Sequence, residues 1–161
     1  MIMTEKNKNE RSTESFVRIC FVVSVMGIGW VLGVLTGPDA WYASLVKPSF
    51  NPPNAVFAPV WTVLYFMIAM AGWRVWLRAR TSFPMLLWGM QMLLNWMWSP
   101  VFFLAHQPGI ALIIITMALV SVLLFIILAK KYDKLASWLF VPYALWLVFA
   151  TIVNASIVWL N

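Results

Sequence analysis

The sequence predicts an all-α integral membrane protein, built as a bundle of five membrane-spanning helices. The first observation is composition: 63% of the residues are hydrophobic and only 10% are charged, against about 25% charged residues in soluble domains. The second is a series of five long apolar runs, and the third is the distribution of basic residues between the connectors. A soluble chain of 161 residues could not bury this much apolar surface, so the expected solvent is a bilayer.

The predicted spans follow a polar N-terminal segment. Residues 1–15 have no hydrophobic period and predict a disordered cytoplasmic tail. Each later run reaches the length of about 20 residues that a spanning helix needs, and the first is too long for the apolar part of a signal peptide. The runs predict one five-helix domain over residues 16–160, with helices at about 16–36, 58–79, 83–104, 109–129 and 135–160.

The connector between the first two spans is predicted to be a stiff, folded loop. Five of the nine prolines lie in or beside it, and proline both fixes φ and removes a backbone donor. We therefore expect residues 41–53 not to be helical, and their aromatic side chains to need an apolar surface. The second helix is expected to begin at Ala58-Pro59, because proline is tolerated in a first helical turn.

Lysine and arginine set the predicted orientation. They cluster around the N-terminal tail, the second connector and the fourth connector, and the one exception is Lys47 in the first connector. With five spans, those three segments lie on the same side of the membrane, and the positive-inside rule makes that side the cytoplasm. The N-terminus is therefore predicted to be cytoplasmic. The net charge of +6 is explained by topology, and no nucleic-acid partner is expected.

Acidic residues are missing from all of the predicted spans, which argues against several functions. The one histidine, His106, also lies outside them and is interpreted as an interfacial loop residue. Proton relays and ion-coupled carriers depend on ionisable groups within the membrane, so neither function is expected. His106 and the single cysteine, Cys20, provide neither the ligands of a metal site nor a nucleophile–base pair. No metal centre and no hydrolytic centre are predicted.

Three helix faces combine aromatic residues with small or polar ones at helical spacing. They pair Trp61 with Tyr65 in the second helix, Asn95 with Trp98 and Phe102 in the third, and Trp146 with Ala150 and Asn154 in the fifth. An amide in hydrocarbon needs a partner, so both asparagines should face inward, either joining helices or lining a pocket. Pro100 and Pro142 should kink their helices. Together these features predict a cavity inside the bundle, capped by the first connector.

Other glycines and tryptophans have simpler interpretations. Gly29, Gly33 and Gly37 recur every fourth residue in the first helix, which suits either a dimer interface or close packing within the bundle. Tryptophans near span ends are expected to be interfacial anchors: Trp30, Trp73, Trp76, Trp88 and Trp159. Trp61, Trp98 and Trp146 differ from these because each has a polar or small neighbour on its own face.

Three stretches, taken together and in order, carry a specific resemblance to a known family. The first is Trp41-Tyr42 with KPSFNPP at residues 47–53 and PVWTVLY at residues 59–65. The second is LNWMWSPVFF at residues 94–103, and the third is VPYALW at residues 141–146, followed by Phe149, Ala150, Thr151 and Asn154. Over residues 16–160 the chain resembles the translocator proteins (TspO/MBR), also called tryptophan-rich sensory proteins or peripheral benzodiazepine receptors.

The resemblance implies a five-helix bundle, often a homodimer, that binds porphyrins, haem-like tetrapyrroles and drug-like molecules under the first loop. It implies porphyrin as a ligand and no obligatory cofactor. By motif position, the implied pocket residues are Tyr42, Pro52, Trp61, Tyr65, Asn95, Trp98, Trp146 and Ala150. Some members are reported to degrade protoporphyrin in light, and a catalytic role would then fall to Trp61 and Trp146.

The end of the fifth helix departs from the pattern of the family's animal members. Their cholesterol-recognition pattern needs a central tyrosine and a following lysine or arginine, and residues 150–159 contain neither. This favours a bacterial cytoplasmic membrane over a mitochondrial outer membrane. The leading hypothesis is a membrane receptor or sensor that binds tetrapyrroles. The alternatives are a transporter of porphyrin or lipid and an enzyme that degrades porphyrin in light.

Overall fold

The computed structural model describes the backbone of residues 2–161 and the side chains of residues 11–161, and every regular element within them is helical. The elements are α1 (Ile2–Leu35), α2 (Ala40–Ser44), α3 (Asn54–Ala79), α4 (Phe83–Ser99), a π-helical turn (Pro100–Leu104), α5 (Pro108–Ala129), α6 (Lys134–Leu139) and α7 (Val141–Leu160). By length and composition, four segments could span a membrane: Arg11–Leu35, Asn54–Ala79, Pro108–Ala129 and Lys134–Leu160. The 17-residue α4 approaches that length only together with the π-helical turn.

The first helix begins earlier than predicted and lies at the edge of the bundle. It starts at Ile2, whereas the sequence predicted a disordered tail over residues 1–15; Met1 lies outside the described residues. Extending an existing helix avoids the cost of nucleation, and the Glu, Lys and Arg of this segment are good helix formers. Among the described side chains of α1, only Val25 and Gly29 are buried, so one narrow stripe of the helix contacts its neighbours.

The first connector contains a short helix, which corrects the prediction that residues 41–53 are not helical. Asp39 is the N-cap of α2, and its carboxylate accepts a hydrogen bond of 2.9 Å from the amide of Tyr42. The prolines on either side, Pro38 and Pro48, lie outside the helix. They therefore limit its length without interrupting it.

The start of α3 also differs from the prediction. The helix begins at Asn54 rather than Ala58, so Pro59 lies inside it. Proline has no amide hydrogen with which to bond the carbonyl four residues earlier, which here belongs to Ala55. Ala55 is exposed, so the unpaired carbonyl is not sealed inside the protein and the early proline is tolerated.

The two prolines predicted to kink their helices lie at irregular points. Pro100 opens the π-helical turn, where the amide of Ala105 donates to the carbonyl of Pro100 at 3.0 Å. The predicted helix over residues 135–160 divides into α6 and α7, with Pro142 in the first turn of α7. At the division, the amide of Phe140 donates to the carbonyl of Ser137 at 3.2 Å. A proline is readily accommodated in a first turn, where no intrahelical amide bond is required.

The connectors meet in pairs at opposite ends of the bundle. At one end, Arg74 Nε and Arg78 Nη1, near the second connector, lie 3.0 Å and 2.8 Å from Oδ2 of Asp133 in the fourth connector. At the other end, Trp41 in the first connector stacks on His106 in the third, with ring centroids 4.2 Å apart. With five spans, the first and third connectors must lie at one end of the bundle and the second and fourth at the other, which agrees with these contacts. Which end faces the cytoplasm stays a prediction.

Not every tryptophan near a span end has the environment of an interfacial anchor. Trp159 and Trp30 are 89% and 61% exposed, as an anchor in lipid would be. Trp88 instead packs on Gly72 and donates its indole N–H to the carbonyl of Ile68 at 3.0 Å. A Cβ on Gly72 would collide with that indole, so this small residue is what allows α4 to approach α3.

The end of the bundle near Asp133 is closely packed, and we call it the filled end. Phe140 stacks on Phe125 with ring centroids 4.0 Å apart and meets Tyr143 edge-on at 5.8 Å. All three side chains are completely buried. They join α5 and α7 through the residue that separates α6 from α7.

Candidate functional site

A cavity of about 340 Å³ lies under the first connector, between α1, α3, α4 and α7. We call this the hollow end of the bundle. The structure brings all eight predicted pocket residues to the cavity wall: Tyr42, Pro52, Trp61, Tyr65, Asn95, Trp98, Trp146 and Ala150. They come from α3, α4, α7 and the first connector. Their function in ligand binding stays a prediction, but their juxtaposition is a property of the fold.

The indoles of Trp61 and Trp146 meet at right angles in the cavity wall. Their ring centroids are 6.5 Å apart and their planes make an angle of 85°. Trp61 also lies against Tyr65, one helical turn later, at 5.1 Å. No hydrogen bond to the indole N–H of Trp61 or Trp146 occurs among the described residues, so both donors are free for an acceptor on a ligand.

Asn95 joins three helices by hydrogen bonds to two tyrosines. Its Oδ1 accepts a bond from the hydroxyl of Tyr65 on α3, and its Nδ2 donates to the hydroxyl of Tyr143 on α7, both at 3.0 Å. The prediction that this amide faces inward is confirmed. Because both ends of the amide already have protein partners, Asn95 holds the wall in place and is not a free group for orienting a ligand.

Asn154 is likewise satisfied within the protein. Its Oδ1 accepts a bond of 3.1 Å from the indole N–H of Trp98, and its Nδ2 donates to the carbonyl of Pro108 at 2.9 Å. Asn154 therefore joins α7 to α4 and to the start of α5, and it also lines the cavity, so both interpretations of this residue hold. Trp98 also stacks on Phe102, with centroids 5.2 Å apart. Its N–H is occupied, so of the three predicted pocket tryptophans only Trp61 and Trp146 offer a free donor.

Two glycines of α1, Gly29 and Gly33, and Gly37 just after the helix line the cavity, a role that sequence reasoning missed. Gly29 packs so closely on Tyr65 that a Cβ would overlap the ring, whereas a Cβ on Gly33 would meet no atom within 4 Å. Gly29, Gly33 and Gly37 all belong to the wall. Of the two interpretations of their spacing, close packing within the bundle is the one the structure supports at Gly29. At Gly33 the missing side chain leaves open space.

Four phenylalanines near the predicted tryptophans also line the cavity. Phe102 shares the predicted face of Asn95 and Trp98, whereas Phe57, Phe103 and Phe149 were not predicted to line it. Phe102 and Phe103 lie in the π-helical turn. There i to i+5 bonding replaces the α-helical pattern, so helical spacing placed Phe102 with Asn95 and Trp98 but gave no prediction for Phe103. Proline at position 100 was the available signal for this irregularity.

We call residues 38–53 the lid, because they cover the cavity at the hollow end. Tyr42 is 5% exposed and packs edge-on against Phe103 at 5.3 Å, while its hydroxyl donates to Asn51 Oδ1 at 3.2 Å. Burial raises the pKa of the Tyr42 phenol, so the side chain is neutral at physiological pH. The amide of Asn161 closes a second contact, accepting from the Val46 amide at 3.0 Å and donating to its carbonyl at 3.1 Å.

The cavity wall contains no Asp, Glu, Lys, Arg or His side chain among the described residues. At the far end of the bundle, burial raises the pKa of Asp133, but the amide of Ala136 together with Arg74 and Arg78 more than offsets it, so that pKa lies below its usual range. No cluster of three or more His, Cys, Asp or Glu side chains suited to a metal ion is present in the described part of the chain. The site is therefore aromatic and uncharged.

Residues 20–160 match the model of the TspO/MBR family. The chain belongs to the TspO/MBR family. Among its relatives, this TspO/MBR protein is 36% identical to tryptophan-rich protein TspO of Chlorobaculum tepidum, over 77% of this chain and 82% of the relative. It is 35% identical to the translocator protein of Homo sapiens, over 71% of this chain and 70% of the relative, and 33% identical to protein CrtK of Rhodobacter capsulatus, over 80% and 83%. The family and the long apolar helices make it an integral membrane protein.

Proposed function

We propose that this protein is a membrane receptor or sensor that binds a tetrapyrrole, or another flat apolar molecule, in the cavity under the lid. The observation that carries the proposal is the convergence of the predicted residues on one cavity, with Trp61 and Trp146 side by side in its wall. Aromatic contacts add about 0.5–1.5 kcal/mol each beyond surface burial. An apolar wall with few free polar groups is typical of small-molecule sites.

The cavity also limits how such a ligand would lie. At about 340 Å³ it is near the lower end of the roughly 300–1,000 Å³ typical of ligand sites, so a complete macrocycle should extend through an opening. Trp30, Val34 and Ala58 line the cavity and are exposed, which makes the space between α1 and α3 the expected opening. Charged carboxylates are costly in an uncharged wall. We therefore expect them outside the cavity, and esterifying them should leave binding largely intact.

The test is a titration of the purified protein with protoporphyrin, in the dark, following quenching of tryptophan fluorescence. Trp61→Phe and Trp146→Phe should each weaken binding by roughly fivefold to tenfold, because each replaces the indole with a smaller aromatic ring and removes a free N–H donor. Trp159→Phe is the matched control, since Trp159 lies on α7, is highly exposed and is not part of the wall. If all three variants bind like the parent protein, the ligand lies elsewhere and the proposal is wrong.

Light-dependent degradation of the bound porphyrin is a second proposal, favoured by the position of Trp61. Its ring contacts Tyr65 at 5.1 Å and Tyr143 at 6.2 Å, so electron-rich phenols surround the indole that would meet the excited ligand. An enzyme must turn over more than one equivalent and yield a defined product. Bleaching that stops at one equivalent would reject catalysis, and porphyrin flux into sealed proteoliposomes would favour the transporter alternative.

We further propose five spans with a cytoplasmic N-terminus, in a bacterial cytoplasmic membrane. The pairing of the connectors at opposite ends supports the span count, and the placement of lysine and arginine supports the orientation.

A homodimer is proposed as the assembled form. Leu86, Met90 and Leu93 on α4 form an exposed apolar row at 4–3 spacing, which suits helix–helix packing. Tagging each connector for protease access, and measuring mass in detergent by light scattering, would test these proposals separately.

A further inference from the structure

The lid touches the rest of the protein through a second group of side chains, separate from the cavity wall. His106, in the connector between the π-helical turn and α5, stacks on Trp41 of the lid with centroids 4.2 Å apart and planes 19° from parallel. Its Nε2 lies 3.5 Å from Oδ2 of Asp39, also in the lid. One imidazole thus contacts both an aromatic ring and a carboxylate of the lid, although neither Trp41 nor Asp39 belongs to the cavity wall.

The backbone holds His106 in a conformation that few residues adopt. Its φ is +53°, the only positive φ of a non-glycine residue in the described chain. The left-handed region is disfavoured for side chains with a Cβ, and Asn, Asp and His are the types found there most often. A residue kept in such a conformation at a contact point invites a functional explanation. Here the conformation belongs to the one residue that meets both Asp39 and Trp41.

Protonation of His106 would strengthen both contacts. A charged imidazolium attracts the Asp39 carboxylate, and it adds a cation–π component to the stack on Trp41. The amide of Tyr42, donating to the carboxylate, and the nearby imidazole lower the pKa of Asp39 below its usual range, so that carboxylate is charged at any pH near neutrality. Histidine is the side chain whose ordinary titration falls between pH 5 and 8.

Besides Asp39, the lid has two charged or titratable side chains: Lys47, whose Nζ lies 4.7 Å from the centre of the Tyr42 ring, and Tyr42 itself. Burial raises the pKa of the Tyr42 phenol, so that side chain is neutral near pH 7. The lid also meets the bundle through uncharged contacts: Asn161 pairs with Val46, and Tyr42 packs edge-on against Phe103. These contacts do not depend on pH, so the effect of pH on the lid should be graded.

We infer that His106 is a positioning residue that couples pH to the lid: its protonation holds residues 38–53 down through Asp39 and Trp41 and slows the escape of a bound molecule. The lid holds tighter at pH 5.5 than at pH 8. The effect on ligand escape rests on the proposed function. The effect of pH on the lid itself does not rest on it, because the lid can be measured in the ligand-free protein.

The lid is therefore tested first without any ligand. A nitroxide label is attached at Ser49→Cys, an exposed lid position, in a Cys20→Ser background that removes the single native cysteine. We expect the mobile fraction of the label to be about threefold smaller at pH 5.5 than at pH 8, the change in population expected of an exposed ion pair. Two variants should abolish the difference: Asp39→Asn, which keeps the N-cap of α2, and His106→Asn, which tolerates a positive φ.

A matched control separates a titrating contact from a merely structural one. Asn161→Ala removes the uncharged contact with Val46, so it should loosen the lid at both pH values and leave the pH dependence in place. If the parent shows no pH dependence, or if the dependence survives in folded Asp39→Asn, the inference is wrong.

The second measurement is the dissociation rate of protoporphyrin dimethyl ester, whose esterified carboxyl groups do not titrate. In the parent protein it should be about threefold slower at pH 5.5 than at pH 8, and this difference should vanish in Asp39→Asn and His106→Asn. If the lid label responds to pH but the ester does not bind, the proposed function fails and the coupling of pH to the lid stands. If the ester binds and leaves at a pH-independent rate, the coupling to escape is overturned.

Discussion

At the filled end of the bundle, Phe125, Phe140 and Tyr143 are completely buried against one another, whereas at the hollow end Trp61 and Trp146 stand around open volume. Both ends are rich in aromatic side chains, so residue type alone does not separate them. The glycines do. The indole of Trp88 occupies the space where a Cβ of Gly72 would lie, whereas a Cβ on Gly33 would have no atom within 4 Å.

The contrast explains how one small bundle can be stable and still contain a binding cavity. A side chain that faces a void has no partner atoms there and loses their dispersion attraction. The side chains around the cavity at the hollow end therefore contribute less to stability than those at the filled end. Asn95 compensates for part of this by joining α3, α4 and α7 through Tyr65 and Tyr143. The hydrogen bonds lie in the wall between the two ends, where they hold the cavity open without occupying it.

The largest expected effect tests whether the filled end carries most of the stability. Phe140→Ala should lower the free energy of unfolding by about 3–5 kcal/mol, because it leaves a cavity in closely packed surroundings. Phe57→Ala, in the cavity wall, should cost about 1 kcal/mol or less. Unfolding by sodium dodecyl sulfate in mixed micelles measures both. Equal losses would mean that the two ends do not differ in packing as described.

An intermediate effect is expected from filling the hollow end. Gly33→Leu places a side chain in open space, so it should weaken binding of protoporphyrin dimethyl ester roughly tenfold. Its free energy of unfolding should be unchanged or up to about 1 kcal/mol higher, since glycine is a poor helix residue. Gly27→Leu is the matched control: it also meets no atom within 4 Å, but it lies outside the wall. Equal weakening by both variants would contradict the location of the site.

The smallest effect concerns the ion pair of Asp133 at the filled end. It weakens as the pH falls, whereas the lid contact proposed for His106 strengthens. The pKa of Asp133 is lowered in the folded protein. Its contribution is therefore complete at neutral pH and is lost as the pH falls below about 3.9, the ordinary value, through the lower folded one. Asp133→Asn should cost about 1 kcal/mol at pH 7. This difference from the parent should shrink toward pH 2.5, and unfolding titrations at both pH values measure it.

The helical faces were predictable where the helix is regular. Trp61 with Tyr65, and Trp146 with Ala150, follow from a repeat of 3.6 residues, and the family motifs identified which face encloses the cavity. The short helix α2 was missed because proline counts overrode the local capping signal of Asp39. Trp88 was assigned to the membrane interface because its position near a span end is visible in the sequence, whereas the gap at Gly72 that receives it belongs to another helix.

The sequence by itself determined that this protein is a helical membrane protein of the TspO/MBR family, and which side chains face inward on its regular helices. These follow from composition, period and motif, which are properties of the chain read along its length. Only the tertiary structure decided that Gly33 borders the cavity while the space next to Gly72 is occupied by Trp88. It also decided that the side-chain amides of Asn95 and Asn154 are hydrogen-bonded within the protein, and that His106 contacts Asp39 and Trp41. The reason is physical: a period says which way a side chain points, but the space it finds depends on several helices at once.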